Sequence, residues 1–147
     1  MNGENSMFGY AEVKVDSKAR IYLPPFTKPV GLEELVFLKR EDFVELWPLS
    51  EFVDKVNKLN DLVFYETDIN KKEEYQRLSD EITSILKETH VEKDGKRIVI
   101  GKQIVDKYNF YNGICIEGKG KYIRLWEPSK FFEYQKNLNG SSKRTRR

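Results

Sequence analysis

Apolar and polar residues alternate at period two over Tyr10-Ala11-Glu12-Val13-Lys14-Val15, the signature of a strand with one face buried. Asp16-Ser17-Lys18-Ala19 is turn-forming chemistry, and Arg20-Ile21-Tyr22-Leu23 reads as a second strand stopped by Pro24-Pro25. Leu35 to Leu38 and Phe43 to Trp47 flank the polar stretch Lys39-Arg40-Glu41-Asp42, which predicts a hairpin. The period then changes: Phe52, Val53, Val56 and Leu59 recur at helical spacing, with Ser50 as the expected cap. Tyr75, Leu78, Ile82 and Ile85 fall on one face of a further helix with charged residues opposite. After it the strand pattern returns, with Arg97 to Ile100, Ile114-Cys115-Ile116, a Gly118-Lys119-Gly120 turn, Tyr122 to Trp126, and Ser129 at the head of a closing helix.

The return is a repeat. Val44-Glu-Leu-Trp-Pro-Leu-Ser-Glu-Phe52 matches Ile123-Arg-Leu-Trp-Glu-Pro-Ser-Lys-Phe131, and the chain's two tryptophans, Trp47 and Trp126, occupy equivalent places. Upstream, Ala19-Arg20-Ile21-Tyr22-Leu23 matches Lys96-Arg97-Ile98-Val99-Ile100. Arg20 lies 27 residues before Trp47 and Arg97 lies 29 before Trp126, so the second copy needs only a two-residue insertion. Units of roughly fifty residues made of short strands bury too little apolar surface to be stable alone, and two copies in one chain can close a shared core.

Asp16-Ser17-Lys18-Ala19-Arg20-Ile21-Tyr22-Leu23-Pro24 follows the pattern Asp-x-Lys-Gly-Arg-Ile-x-x-Pro. With the Leu-Trp-Pro-Leu-Ser-Glu-Phe segment and the duplication, the chain resembles the MraZ family from about Phe8 to about Gln135. The resemblance implies a mainly β fold with short helices (α+β), in which two tandem AbrB-like units, 7–59 and 89–138, form one pseudo-two-fold β-barrel core. A helical connector at 60–88 joins them, closing helices finish them, and 139–147 is expected to be a disordered basic tail. It further implies a cytoplasmic, nucleoid-associated DNA-binding repressor of the division and cell-wall gene cluster that binds short direct repeats and assembles into rings.

A physical reading of the same residues points the same way. A turn between two strands projects Lys18 and Arg20 beyond the sheet, and a β-ribbon fits the major groove, where Arg bonds guanine bidentately and Lys neutralises phosphate. Asp16 is placed either to accept backbone amides of the turn or to orient Arg20. The family glycine before the arginine is Ala19 here, at a backbone position where glycine supplies positive φ. In the second copy Lys93, Lys96 and Gly101 stand on the Asp, Gly and Pro positions, and Asp94-Gly95 offers a type I′ turn instead. That loop, with Lys93, Lys96 and Arg97, is the more cationic, so it is expected to hold phosphate while Arg20 reads bases.

Composition narrows the alternatives. Hydrophobic residues make up 39% and charged residues 34%, a lean core under a charged surface, while 13% aromatic argues against disorder. No apolar run reaches the 18 or so residues of a membrane span, and the first six residues do not resemble a signal peptide. One cysteine, Cys115, and one histidine, His90, make neither a disulfide nor a closed zinc site, and no third group completes a Cys-His pair. The carboxylates Glu12, Asp16, Glu45 and Glu92 show no pairing for acid–base work. Trp47 and Trp126 read as core anchors and Cys115 as a small hydrophobe in an apolar strand. The expected partners are double-stranded DNA and further copies of the chain. No enzyme activity, cofactor, metal, membrane or small-molecule substrate is expected. Two other functions compete: an antitoxin-like protein-binding module, and a barrel that binds single strands through Lys119-Gly-Lys-Tyr-Ile-Arg124.

Lys143, Arg144, Arg146 and Arg147 supply four positive charges, so the net charge falls from +2 for the chain to −2 for residues 1–142. Removing 143–147 is therefore expected to weaken duplex binding about equally on specific and random DNA, with a shallower salt dependence in a titration series. A loss confined to the specific duplex would show that the tail reads sequence.

Overall fold

Among the described residues, short β-branched and aromatic runs bounded by turns give eight strands, and the amphipathic stretches between and after them give four α-helices. The computed structural model describes residues 6–27, 34–88, 93–94 and 96–145. In chain order these form β1 (Met7–Val13), β2 (Arg20–Tyr22), β3 (Leu35–Lys39), β4 (Phe43–Pro48), α1 (Leu49–Tyr65) and α2 (Ile69–Glu88). The second half holds β5 (Lys93–Asp94), β6 (Arg97–Val99), α3 (Lys102–Tyr108), β7 (Ile114–Gly120), β8 (Ile123–Trp126) and α4 (Pro128–Thr145). His90, Glu92 and Gly95, the tip of the expected Asp94-Gly95 turn, lie outside the described residues.

The strands make an antiparallel five-stranded sheet, β1-β7-β8-β4-β3, and a three-stranded sheet, β2-β6-β5. The α+β class is as expected, but among the described residues no pairing joins the two sheets into a closed barrel. β2 and β6 are only three residues long and pair chiefly with each other, so the barrel wall stays open and the sheets meet through side chains.

Register reveals the internal two-fold. β2 pairs with β6 as Arg20↔Val99, Ile21↔Ile98 and Tyr22↔Arg97, so equivalent residues are exchanged about the Ile21–Ile98 pair. β4 pairs with β8 as Val44↔Leu125, Glu45↔Arg124 and Leu46↔Ile123, exchanged in the same way about Glu45–Arg124. The axis thus passes through both sheets at the repeat's own equivalent positions.

One face of the large sheet and the inner face of the small one share the main core. Val44, Leu46, Ile114, Ile116, Ile123 and Leu125 pack there with Ile21, Ile98 and the α3 residues Ile104 and Val105. The outer face of the large sheet carries two equivalent satellite cores. Val36 and Trp47 pack with Phe52 of α1 on one side, and Cys115 and Trp126 pack with Phe131 of α4 on the other. Both tryptophans are buried, as core anchors should be. Between them sit the paired charges of the axis: Glu45 accepts Arg40 Nε at 2.9 Å and Trp47 Nε1 at 2.8 Å, while Arg124 lies 3.7 Å from Glu117.

Several element boundaries differ from expectation. α1 begins at Leu49 after Pro48 without a side-chain cap, and the Leu49 amide bonds the Glu34 carbonyl instead, so Ser50 is not its cap. At the equivalent place in the second unit, Glu127 replaces the proline and its carboxylate accepts the Ser129 and Lys130 amides at 3.1 Å each. The cap of α4 is thus Glu127, not Ser129. The turn after β7 lies at Lys121-Tyr122, where Lys119 N bonds Tyr122 O at 2.8 Å. Gly118 serves the close approach of β1: a Cβ there would stand 2.4 Å from the Met7 carbonyl oxygen. The connector is an α1–α2 hairpin, joined by Ser79 to Asn60 and with Asp68 accepting the Asn70 and Lys71 amides. α4 runs to Thr145, into the stretch 139–147 expected to be disordered, which contains no proline.

Phe52 and Phe131 are equivalent and fully buried. Truncating either to Ala should cost about 3–5 kcal/mol in urea unfolding. A cost under about 1 kcal/mol for one of them would show that its helix is not docked as described.

Candidate nucleic-acid interface

The loop from Asp16 to Arg20 is set by its own hydrogen bonds. Ala19 N bonds Asp16 O and Asp16 N bonds Arg20 O, both at 3.0 Å, which closes a three-residue loop with its last residue left-handed. Ala19 has φ 57°, the conformation for which the motif elsewhere uses glycine. Its carbonyl accepts Ile100 N at 2.8 Å and Gly101 N at 3.3 Å, so the first-unit loop is tied to the end of β6 in the second unit.

Asp16 contacts both the turn backbone and the Arg20 side chain. Oδ1 accepts the Lys18 and Arg20 amides at 2.9 Å each, and Oδ2 accepts Arg20 Nε at 2.8 Å. The same oxygen also accepts Arg97 Nη1 at 3.3 Å. Burial alone would raise this carboxyl; the backbone amides of Arg20 and Lys18, with the Arg20 side chain, outweigh it and hold the group below its ordinary value of 3.8. Asp16 is thus a charged carboxylate shared by arginines from both units.

The expected residues do not all share one face. Partners in register point the same way, so Arg20, Tyr22, Arg97 and Val99 lie on the outward face of the ribbon while Ile21 and Ile98 turn into the core. Because the strands are antiparallel, Lys18 flanks one end of this face and Lys96 the other, and both are exposed. Lys93 pairs in register with Ile98, which puts it on the other side of the ribbon from Arg97. Arg20, expected to be solvent-facing, has a side chain only 17% exposed, against 34% for Arg97. Tyr22 was not singled out by sequence: its ring lies under Arg97, with the guanidinium carbon 4.8 Å from the ring centre. The cross-strand register was the missing signal, since nothing in the linear motif brings Tyr22 to Arg97.

Other candidates are engaged elsewhere. Tyr122 stacks on Trp47 with ring centres 4.2 Å apart, and Arg124 lies over Phe43 at 4.5 Å, so the aromatic and cation required for single-strand stacking are turned into the protein. Burial pushes the Cys115 thiol up to about 11, with Glu12 and Glu127 adding to the shift, so this sulfur is a poor nucleophile.

Glycine at the strained position should stabilise the loop. An L-residue in the left-handed region costs about 1–2 kcal/mol, of which the extra chain entropy of glycine removes part. Ala19→Gly is therefore expected to gain about 0.5–1 kcal/mol, read as a thermal midpoint higher by roughly 1–4 °C. A lower midpoint would show that the Ala19 methyl's packing against the core outweighs its backbone strain.

No protein-family model matches the chain. Against known proteins, it is similar to the transcriptional regulator MraZ of Flavobacterium psychrophilum, 28% identical over 146 residues that span 93% of this chain and 85% of that protein. The match is modest in identity and nearly complete in extent. It supports the MraZ family as the family of this chain.

Proposed function

We propose that this protein is a DNA-binding transcriptional regulator that docks the outward face of the β2–β6 ribbon on duplex DNA. The observation that carries the proposal is the ribbon itself: the internal two-fold sets Arg20 and Arg97, the arginines of the two repeated loops, on one outward face flanked by Lys18 and Lys96. Diagonal neighbours in an antiparallel pair lie about 7–8 Å apart, close to two base steps of about 3.4 Å each. Arginines at that spacing can reach base edges two steps apart, or neighbouring phosphates, in one major groove. A likeness to a transcriptional regulator along most of the chain agrees with this use.

The finer reading rests on the family resemblance. The regulator is a repressor acting on the division and cell-wall gene cluster through short direct repeats, in the cytoplasm at the nucleoid. It works as a ring of several copies, so modest affinity per ribbon is multiplied across successive repeats.

Fluorescence titrations on a duplex selected from the source genome, and on a scrambled one, test the proposal. Arg97, the more exposed of the two arginines, takes in this proposal the base-reading part expected of Arg20, so Arg97→Ala should cost about 1–3 kcal/mol on the selected duplex and flatten the preference. Lys18→Ala should weaken both duplexes alike and lower the salt slope by about one. Arg20→Ala should also lower the thermal midpoint, because it removes a partner of Asp16 that helps close the loop. Unchanged affinity for the Arg97 and Lys18 variants together would move the DNA contact off this ribbon.

A further inference from the structure

In the second-unit loop Lys93 stands where Asp16 stands in the first unit, and the loop's own acid, Asp94, follows it as the register partner of Arg97. Arg97 is nonetheless held on two sides: its guanidinium lies over the Tyr22 ring at 4.8 Å, and its Nη1 reaches Asp16 Oδ2 at 3.3 Å. Both supports come from the first unit, and they reach Arg97 because β2 pairs with β6 and makes Tyr22 its register partner. The symmetry-related pair is Arg20 with Val99, which offers no ring. The two arginines are therefore held differently, Arg20 through Nε and Arg97 over an aromatic face.

Tyr22 is 55% exposed, so its ring is no core anchor. A cation over a ring is attracted by the ring's quadrupole and spends no N–H donor on it, because the guanidinium donors lie in the guanidinium plane. We infer that Tyr22 is a positioning residue for DNA recognition, holding the Arg97 guanidinium on the outward face with donors left for the duplex. The divergent second half-site thereby borrows its orienting groups, Tyr22 and Asp16, from the first. This role rests on the DNA-binding function proposed above.

Two measurements on the full chain test it. In the DNA-free protein, the Arg97 Nε–Hε resonance should carry a ring-current shift in the wild type and in Tyr22→Phe, and lose it in Tyr22→Val. On the genome-selected duplex, Tyr22→Val should bind about three- to tenfold more weakly, while Tyr22→Phe retains wild-type affinity. In an Arg97→Ala background, Tyr22→Val should have no further effect, the sign of coupling rather than of an independent contact. Valine suits a strand and the site is exposed, so thermal midpoints should stay close. A wild type that binds the duplex while Tyr22→Val binds equally well, or adds its full loss to that of Arg97→Ala, overturns the positioning role alone. A wild type that binds no duplex overturns the proposed function and this role with it.

Discussion

The pairing of each repeat's strands with their own counterparts is the constraint on which everything else depends. β2 against β6 and β4 against β8 place one local two-fold through the molecule, at Ile21–Ile98 and at Glu45–Arg124. Neither unit can build a core alone, and the pairing closes the shared core between the two sheets. The same pairing determines what the surface offers. A strand that puts Ile21 inward must put Arg20 and Tyr22 outward, and its partner must do likewise with Ile98, Arg97 and Val99. The candidate interface is the outer side of the contact that holds the units together.

One carboxylate then organises that interface. Asp16 closes its own loop through two backbone amides and engages a guanidinium from each unit. The arrangement holds two cations beside each other without leaving them unscreened. Ala19 is held left-handed because its amide closes the turn and its carbonyl is committed to Ile100 and Gly101. A methyl group in that conformation persists only where surrounding bonds over-determine it, and here they span both units.

The repeat was the most legible feature of the sequence, because Trp47 and Trp126 and their neighbours preserve order and spacing. Strand and helix identities followed from periodicity, and the turn contacts of Asp16 follow from the chemistry of a short acid before a turn. What linear patterns hide is pairing. Lys93 and Arg97 look alike as loop cations, yet register sends Lys93 to the opposite face. Arg20 reads as a free loop-tip arginine, yet its Nε is committed to Asp16. Gly118 looks like a turn residue and is a strand residue that lets β1 approach. The caps differ for a related reason: serine is the common choice, but Pro48 and Glu127 stand two residues nearer the strand end, where each helix begins.

Duplication in one chain permits what a symmetric dimer of identical units cannot. A residue on a two-fold axis faces its own equivalent, so identical units would set Glu against Glu or Arg against Arg at the centre of the large sheet. Like charges directly opposite in a sheet are destabilising, and burial makes them more so. With two independent copies the axis position carries Glu45 opposite Arg124, each with partners of its own. The small sheet shows the same freedom in Asp16 and Lys93. A second copy of Asp16 would give each arginine its own carboxylate there and leave the outward face less positive; here one Asp16 serves both Arg20 and Arg97, and the Lys93 that replaces the second lies on the other side of the ribbon. Asymmetry between the repeats thus relieves the buried axis and concentrates positive charge at the exposed ribbon, and both effects follow from tying the two units into one chain.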